Sequence, residues 1–221
     1  MCGRFTLTAD RETIADHFHV DVSEIEHQPR YNIAPGQPVP VISGTARERK
    51  ITMMRWGLIP RWAKDVSIGN KLINARAETI DKKPAFRESF LRQRCLVPAD
   101  GFFEWKKDDG NKKIPFRIVL PDRKLFAFAG IWDSWVSPTG IKVDSFSVIT
   151  VEASGDMVSI HERMPAILAD EEMQALWLNY RNAVELKRLL VPYAGQLKAY
   201  KVSPLVNSPV VDDPRCVAIV Q

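Results

Sequence analysis

The amino-acid sequence predicts an α+β fold: a single domain over residues 1–221, built on a mostly antiparallel, barrel-like β-sheet with peripheral helices. Two observations carry this. Five runs rich in β-branched and aromatic residues, RCLVPA, GFFEWKK, IPFRIVL, LFAFAGIW and SFSVITVEA, succeed one another with no helical stretch between them. Helical periodicity is confined to short outlying segments, so the βαβ alternation of a parallel sheet is missing.

In chain order, GRFTL reads as a short strand. Residues 9–18, ADRETIADHF, set Ile14 and Phe18 one turn apart, the mark of a short amphipathic helix. Residues 28–38, QPRYNIAPGQP, hold three prolines and a glycine and read as an ordered loop. PVPVIS and KITMMRWG are strands joined by a polar turn at 44–50. The stretch GLIPRWAKDVSIGNKLINARAET is irregular and leads into a helix at 84–93. After the five central strands a helix begins near Ala169, with Asp170, Glu171 and Glu172 where the helix dipole favours acids. A second helix covers 183–191, and strands at 197–202 and 215–220 finish the chain. No repeat, low-complexity tract or linker divides it.

Composition narrows the class. Hydrophobic residues at 45% and charged residues at 26% are ordinary for a globular chain. No apolar run approaches the ~20 residues of a membrane span, and no basic stretch followed by an apolar one opens the chain. A cytoplasmic protein is expected. Cys2, Cys95 and Cys216 are odd in number and far apart, which argues against a disulfide framework and for a reducing compartment. No CxxC or HxxxH spacing occurs, so no metal and no cofactor is expected. The net charge of +4 is unevenly spread: residues 47–117 carry 18 Lys and Arg against 9 Asp and Glu. A basic middle suits a polyanion such as nucleic acid, although a solvated lysine face would look the same.

Five stretches are polar beyond what packing needs. In MCGR, removal of Met1 would leave Cys2 with a free amine beside its thiol, with pKa values of about 8 and about 8.5. Such a 1,2-aminothiol condenses with an aldehyde to an imine and closes to a thiazolidine; alternatively its thiolate attacks an amide. In LINARAET, Asn74 and Arg76 project to one side of an extended segment and suit an oxygen-rich ligand, or form a plain surface strand. In GFFEWKK, alternation sets Glu104 apart from Phe103 and Trp105. Turned into a pocket it would have a raised pKa and act as a general acid. Turned to solvent it would be a plain carboxylate on an amphipathic strand whose aromatics face the core. The WKK end reads as a phosphate-facing edge. In SIHERMP, His161 and Arg163 share a face, and His is the side chain that moves protons near pH 7. Finally RYNIAPGQ and RWGLIPRWAKD combine aromatics, prolines and cations. Trp62, beside Arg61 and Lys64, suits base stacking next to phosphate, whereas Trp56 reads as core.

The order of these motifs is more specific than any one of them. Cys2-Gly3-Arg4, RYNIAP, WGLIP, NARAET, GFFEW and HERMP together resemble the SRAP (SOS response-associated peptidase) family, over essentially the whole chain. The resemblance implies a protein that senses and processes abasic sites in single-stranded DNA, crosslinking to them through Cys2 once Met1 is gone, with possible strand-cleaving and self-reversing activity. It implies Cys2, Asn74, Glu104 and His161 as catalytic residues. Arg4, Arg76 and Arg163 would clamp flanking phosphates, and Trp62, Arg61, Asn32 and Pro35 would contact DNA. A monomer, associated with the nucleoid when bound to damage, is expected. The family's APTQ-like loop reads APGQ here, with Gly36 at its third position. Two rival readings share the opening residues. A cysteine peptidase or autoprotease would use Cys2 with His161. A glutamine amidohydrolase also begins Met-Cys-Gly, but Arg4 and HERMP fit it poorly.

Overall fold

The computed structural model describes residues 2–108, 110–121, 125–180 and 182–220. Behind Cys2 the chain forms β1 (Phe5–Leu7) and then α1 (Arg11–Phe18), whose cap Asp10 accepts the Thr13 N–H and whose Ile14 and Phe18 are buried. The proline-rich segment expected as a loop instead supplies β2 (Arg30–Ile33). Pro29 and Pro35 flank that strand rather than interrupt it, so its N–H groups stay available for pairing with β1. β3 (Pro38–Gly44) and β4 (Arg49–Trp56) form the expected hairpin. The irregular stretch that follows holds a short 3-10 turn at Val66–Lys71 and the three-residue β5 (Asn74–Arg76).

Helix α2 (Arg87–Arg92) leads into β6 (Arg94–Ala99), β7 (Gly101–Lys107), β8 (Lys113–Val119), β9 (Phe126–Val136) and β10 (Lys142–Glu152). Two short strands, β11 (Arg163–Pro165) and β12 (Ile167–Leu168), precede α3 (Glu171–Asn179) and α4 (Ala183–Leu189), and β13 (Lys198–Lys201) is the last strand. The run 215–220 is not the strand its apolar residues suggest. It holds a 3-10 turn at Pro214–Cys216 and one bridge, Ile219 to Val202. There the Asp213 side chain takes the Arg215 N–H, a local bond that competes with ladder pairing.

The barrel is a closed ring. β10 pairs in parallel with β4, and β4–β3, β3–β6, β6–β9 and β9–β10 are antiparallel, which returns the sheet to its start. The long β10 also carries β5 in parallel and β11 antiparallel, so Asn74 and Arg163 hang from the same strand. A second sheet, ordered β13-β8-β7-β1-β2, lies against the ring. Phe5 of that sheet packs edge-on to Trp56 and Phe128, and Phe102 edge-on to Phe128, fusing both sheets into one core. The buried Arg94 guanidinium donates to the carbonyls of Phe90, Leu91, Trp177, Leu178 and Tyr180, satisfying the ends of α2 and α3.

One close approach depends on glycine. Gly57, in WGLIP, has φ +123°, and a Cβ there would lie 2.5 Å from the Gly69 carbonyl oxygen. Gly57→Ala is expected to destabilise the fold by about 2–4 kcal/mol, read as a lower midpoint in urea unfolding.

The two sheets leave one feature that makes the site. β7 pairs with β1 only at Gly101 and Phe102, and the Phe103 N–H reaches the Arg4 carbonyl. From Glu104 onward that edge of β7 has no strand beside it among the described residues, and Cys2 enters there.

Candidate active site

Cys2 is fully buried, and its carbonyl accepts a hydrogen bond from Asn74 Nδ2 at 2.7 Å. Asn74 reaches it because β5 runs along β10 with Ala75 directed into the core, which puts Asn74 and Arg76 together on the opposite side. Arg76 is exposed; Asn74 is half-buried. Asn74 Oδ1 is buried and meets no donor among the described residues. Such an acceptor is the kind of group that a bound ligand satisfies. Burial pushes the Cys2 thiol well above its ordinary pKa, and the negative charge of Glu104 pushes it further.

Glu104 sits in β7 with the alternation the sequence predicts. Phe103 and Trp105 turn toward a small cluster with Val202, Val206 and Cys216, and Glu104 turns the other way, only 3% exposed. Burial raises its carboxyl to about 7, so both protonation states are populated near neutral pH.

His161 precedes β11 and joins Glu104 in lining a cleft of about 540 Å³, together with Trp105, Lys107, Lys113 and Asn207. The Arg163 backbone N–H donates to His161 Nδ1 at 2.9 Å, so the ring proton sits on Nε2. Burial lowers its pKa as well, which keeps the imidazole neutral. His161 is therefore set as a donor through Nε2, while Glu104 is set to exchange a proton. Cys2, Asn74, Glu104 and His161 thus converge on one region from the chain start, β5, β7 and the approach to β11.

The expected DNA contacts divide. Arg4 is half-buried, donates through Nη1 to Asn32 Oδ1 at 2.7 Å and to the Val206 carbonyl at 2.5 Å, and lies over the Trp105 ring. Asn32 is fully buried, and its Nδ2 is directed at the carbonyls of Val206, Ser208 and Val211. Arg163 does not stand as an open clamp. It is 7% exposed, makes a two-pronged pair with Glu78 and donates to the Thr150 carbonyl. Burying a guanidinium without such a partner would be costly, and Glu78 supplies the charge that permits it. Arg61 is paired with Asp133 through two nitrogens, which cancels its charge locally. Trp62 is 57% exposed and lines a separate depression with Lys64 and Lys71, and Pro35 is exposed. Beside Pro35, Gly36 has φ +87°, a conformation glycine adopts without steric cost, and its carbonyl is held by Arg55.

Three residues at this site were not singled out from the sequence: Glu78, although it lies within NARAET, Asn207 and Asp212. Each matters through a partner about 85 to 180 positions away.

The fold and site now admit comparison. The family model described as SOS response associated peptidase (SRAP) matches residues 1–209. The chain belongs to the SRAP family. Among SRAP relatives, the abasic site processing protein YoqW of Bacillus subtilis is 45% identical over 98% of this chain and 99% of its own length. The abasic site processing protein YoaM of the same organism is 47% identical over 95% of this chain and 94% of its own. A crystal structure of a Bacteroides thetaiotaomicron protein superposes with a TM-score of 0.88 at 31% identity, covering 100% of both chains. The SRAP match ends before Asp212 and Cys216, so the last contacts made on the site by this chain lie outside the matched residues.

Proposed function

We propose that this SRAP chain processes abasic sites in single-stranded DNA by covalent capture through Cys2. The convergence of Cys2, Asn74, Glu104 and His161 on one region carries the reading: Glu104 and His161 line the cleft, and Cys2 lies buried behind it, held by Asn74 and within reach of the Glu104 charge. An abasic site requires no base pocket; it requires an aldehyde trap, a proton donor and cations for the backbone, and this region offers those groups.

The chemistry follows from the residues. Protonated Glu104 gives its proton to the sugar ring oxygen as the bond from that oxygen to C1′ breaks, and the C1′ hydroxyl releases its proton to become an aldehyde. After Met1 removal the Cys2 amine attacks C1′, and the carbinolamine takes up a proton and leaves water to form an iminium ion. The thiol then adds to the same carbon and passes its proton to the Glu104 carboxylate, which regenerates the acid. The product is a thiazolidine, formed with net loss of one water. The amine acts first, because the buried thiol is held in its neutral form. That same property fits attack on a peptide amide poorly, since a cysteine peptidase needs a thiolate. Asn74 holds the Cys2 carbonyl and offers Oδ1 to the substrate, His161 Nε2–H donates to a sugar or phosphate oxygen, and Arg76 attracts the flanking backbone. Confinement beside the aldehyde raises the effective concentration of the amine.

The test uses purified protein with a verified free Cys2 terminus and a single-stranded oligonucleotide bearing one abasic site. Denaturing electrophoresis and intact mass should show an adduct of one protein and one DNA, lighter than their sum by one water. Non-covalent capture should weaken steeply with salt, while the finished adduct should survive it. No adduct from the verified terminus would overturn the reading.

A further inference from the structure

We propose that the buried Asp100 carboxylate, with Thr6, Thr8 and Arg117, forms a pin that fixes the register of β1 against β7 and so sets the Cys2 nitrogen beside Glu104. These are positioning residues for the covalent capture described above, and the proposal rests on that reading.

The need for a pin comes from the ladder. β1 has three residues, and it meets β7 only through the pairs Phe5–Phe102 and Thr6–Gly101. Its pairing with β2 on the other side carries a register shift between Phe5 and Leu7. Two backbone pairs beside an irregular edge specify register weakly. Yet register decides whether the site forms. Thr6 follows Cys2 by four residues, and Asp100 precedes Glu104 by four, on strands that run in opposite directions. A slip of one residue would carry Cys2 about 3.3 Å along β7. Reacting groups must approach to about 3–3.5 Å, so that displacement would take the amine out of reach.

Asp100 supplies the specification that the ladder lacks. It stands just before β7, 9% exposed, and each of its oxygens serves a different threonine. Oδ1 accepts the Thr6 hydroxyl, and Oδ2 accepts the Thr8 hydroxyl and the Thr8 backbone N–H, both at 2.5 Å. The Asp100 N–H in turn donates to the Thr6 carbonyl at 3.0 Å. Thr6 and Thr8 are two residues apart and share one side of the extended chain, while Phe5 and Leu7 on the other side are fully buried in the core. A one-residue slip would set those apolar side chains against the carboxylate and carry both hydroxyls away from it. The buried charge would lose its donors, which is costly.

Arg117 of β8 supplies the counter-charge. Its Nη2 donates to Thr6 Oγ1 at 3.0 Å and to Asp100 Oδ1 at 3.2 Å, and its Nη1 donates to the Tyr200 hydroxyl of β13 at 2.8 Å. The guanidinium lies there because Gly101 has no side chain: a Cβ would stand 2.8 Å from Arg117 Nε. The pin thus joins β1, β7, β8 and β13, while Asn74 holds the Cys2 carbonyl from the barrel side. Cys2 is placed from two directions.

The test compares Thr6→Val with Thr6→Ser in single-turnover crosslinking to a single-stranded oligonucleotide bearing one abasic site, with the free Cys2 terminus verified in each protein. Valine keeps the shape of the side chain and removes the hydroxyl, whereas serine keeps the hydroxyl. T6V should lower the rate constant at saturating DNA about tenfold, with the half-saturating DNA concentration within about twofold of the parent. T6S should recover most of the parent rate. Loss of folded protein alone would reduce the amount of adduct and leave the rate constant of the remaining molecules unchanged, so the rate constant reports positioning. If T6V does not fold, Thr8→Val carries the test. Thr8 is half-buried and its backbone N–H still reaches Asp100, so a loss of about threefold is expected there. A T6V rate constant equal to the parent's, or in its place a T8V rate constant equal to the parent's, refutes the pin. An equal loss in T6S refutes it too, and a loss confined to the half-saturating concentration would make Thr6 a binding residue instead. A parent that forms no adduct overturns the capture reading itself, an outcome that no behaviour of the threonine variants can imitate.

Discussion

Replacing Cys2 with alanine is expected to remove the denaturation-resistant adduct altogether while leaving non-covalent DNA binding within about twofold, since the thiol is buried and makes no phosphate contact. The interesting product is what remains. After Met1 removal the C2A chain still carries an α-amine at the same place, on a residue whose carbonyl Asn74 can still hold. It can form the iminium ion but has no thiol to close the ring. The C2A chain should therefore give an adduct only when the imine is reduced with borohydride, and an unreduced sample should run as free protein. Cleavage of the strand at the abasic site should then increase, because an iminium that is not trapped as thiazolidine is open to elimination. A chain that retains Met1 should form neither species, since an amide nitrogen does not condense with an aldehyde. Intact mass spectrometry on the three preparations, with and without borohydride, separates these outcomes. An adduct in unreduced C2A would mean that another nucleophile carries the chemistry.

Barrel strands β3, β6, β9 and β10 were legible because they are largely buried on both faces and read as nearly continuous apolar runs, whereas β4 buries only Ile51, Met54 and Trp56; together the five close the ring. β2 was hidden by its prolines, whose position just outside the strand is invisible without its partner β1. The apolar end at 215–220 misled for the opposite reason, since a single aspartate at 213 redirects the backbone. In the site, period-two alternation placed Asn74, Arg76 and Glu104, because each lies in an extended segment whose neighbours must go into a core. Side-chain type was a poorer guide. Arg163 and Asn32 are of types that bind phosphate, yet one is neutralised by Glu78 and the other is buried against carbonyls. Exposure depends on a distant partner, and the 85 positions between Arg163 and Glu78 are bridged only when β5 and β11 both pair with β10. The contacts that tie Arg4 and Asn32 to residues 206–212 were out of reach for the same reason: Asp212 and Asn32 are 180 positions apart.

Glu104→Gln is expected to slow crosslinking by about 100-fold or more at pH 7, the usual scale for loss of a general acid and base, while changing DNA affinity far less. The pH profiles of rate and stability must then agree on one group. In the parent, ring opening needs Glu104 protonated and condensation needs the Cys2 amine neutral. With the carboxyl at about 7 and an ordinary α-amine at about 8, the rate should pass through a maximum between them and fall above it. E104Q should lose the limb that belongs to the carboxyl. The stability argument has a fixed sign. Glu104 is raised from 4.5 to about 7, so between those values the folded state binds more protons than the unfolded chain. The stability this confers is complete below pH 4.5 and is lost as pH rises through 7. Relative to E104Q, the parent should therefore lose about 3 kcal/mol between pH 4.5 and 8, measurable by urea unfolding at each pH. The carboxyl that destabilises the fold at high pH is the one that supplies the proton at neutral pH, and both effects come from the same burial at the open edge of β7. A stability difference that stays flat across this range would show that the carboxyl is not raised, and the acid role of Glu104 would go with it.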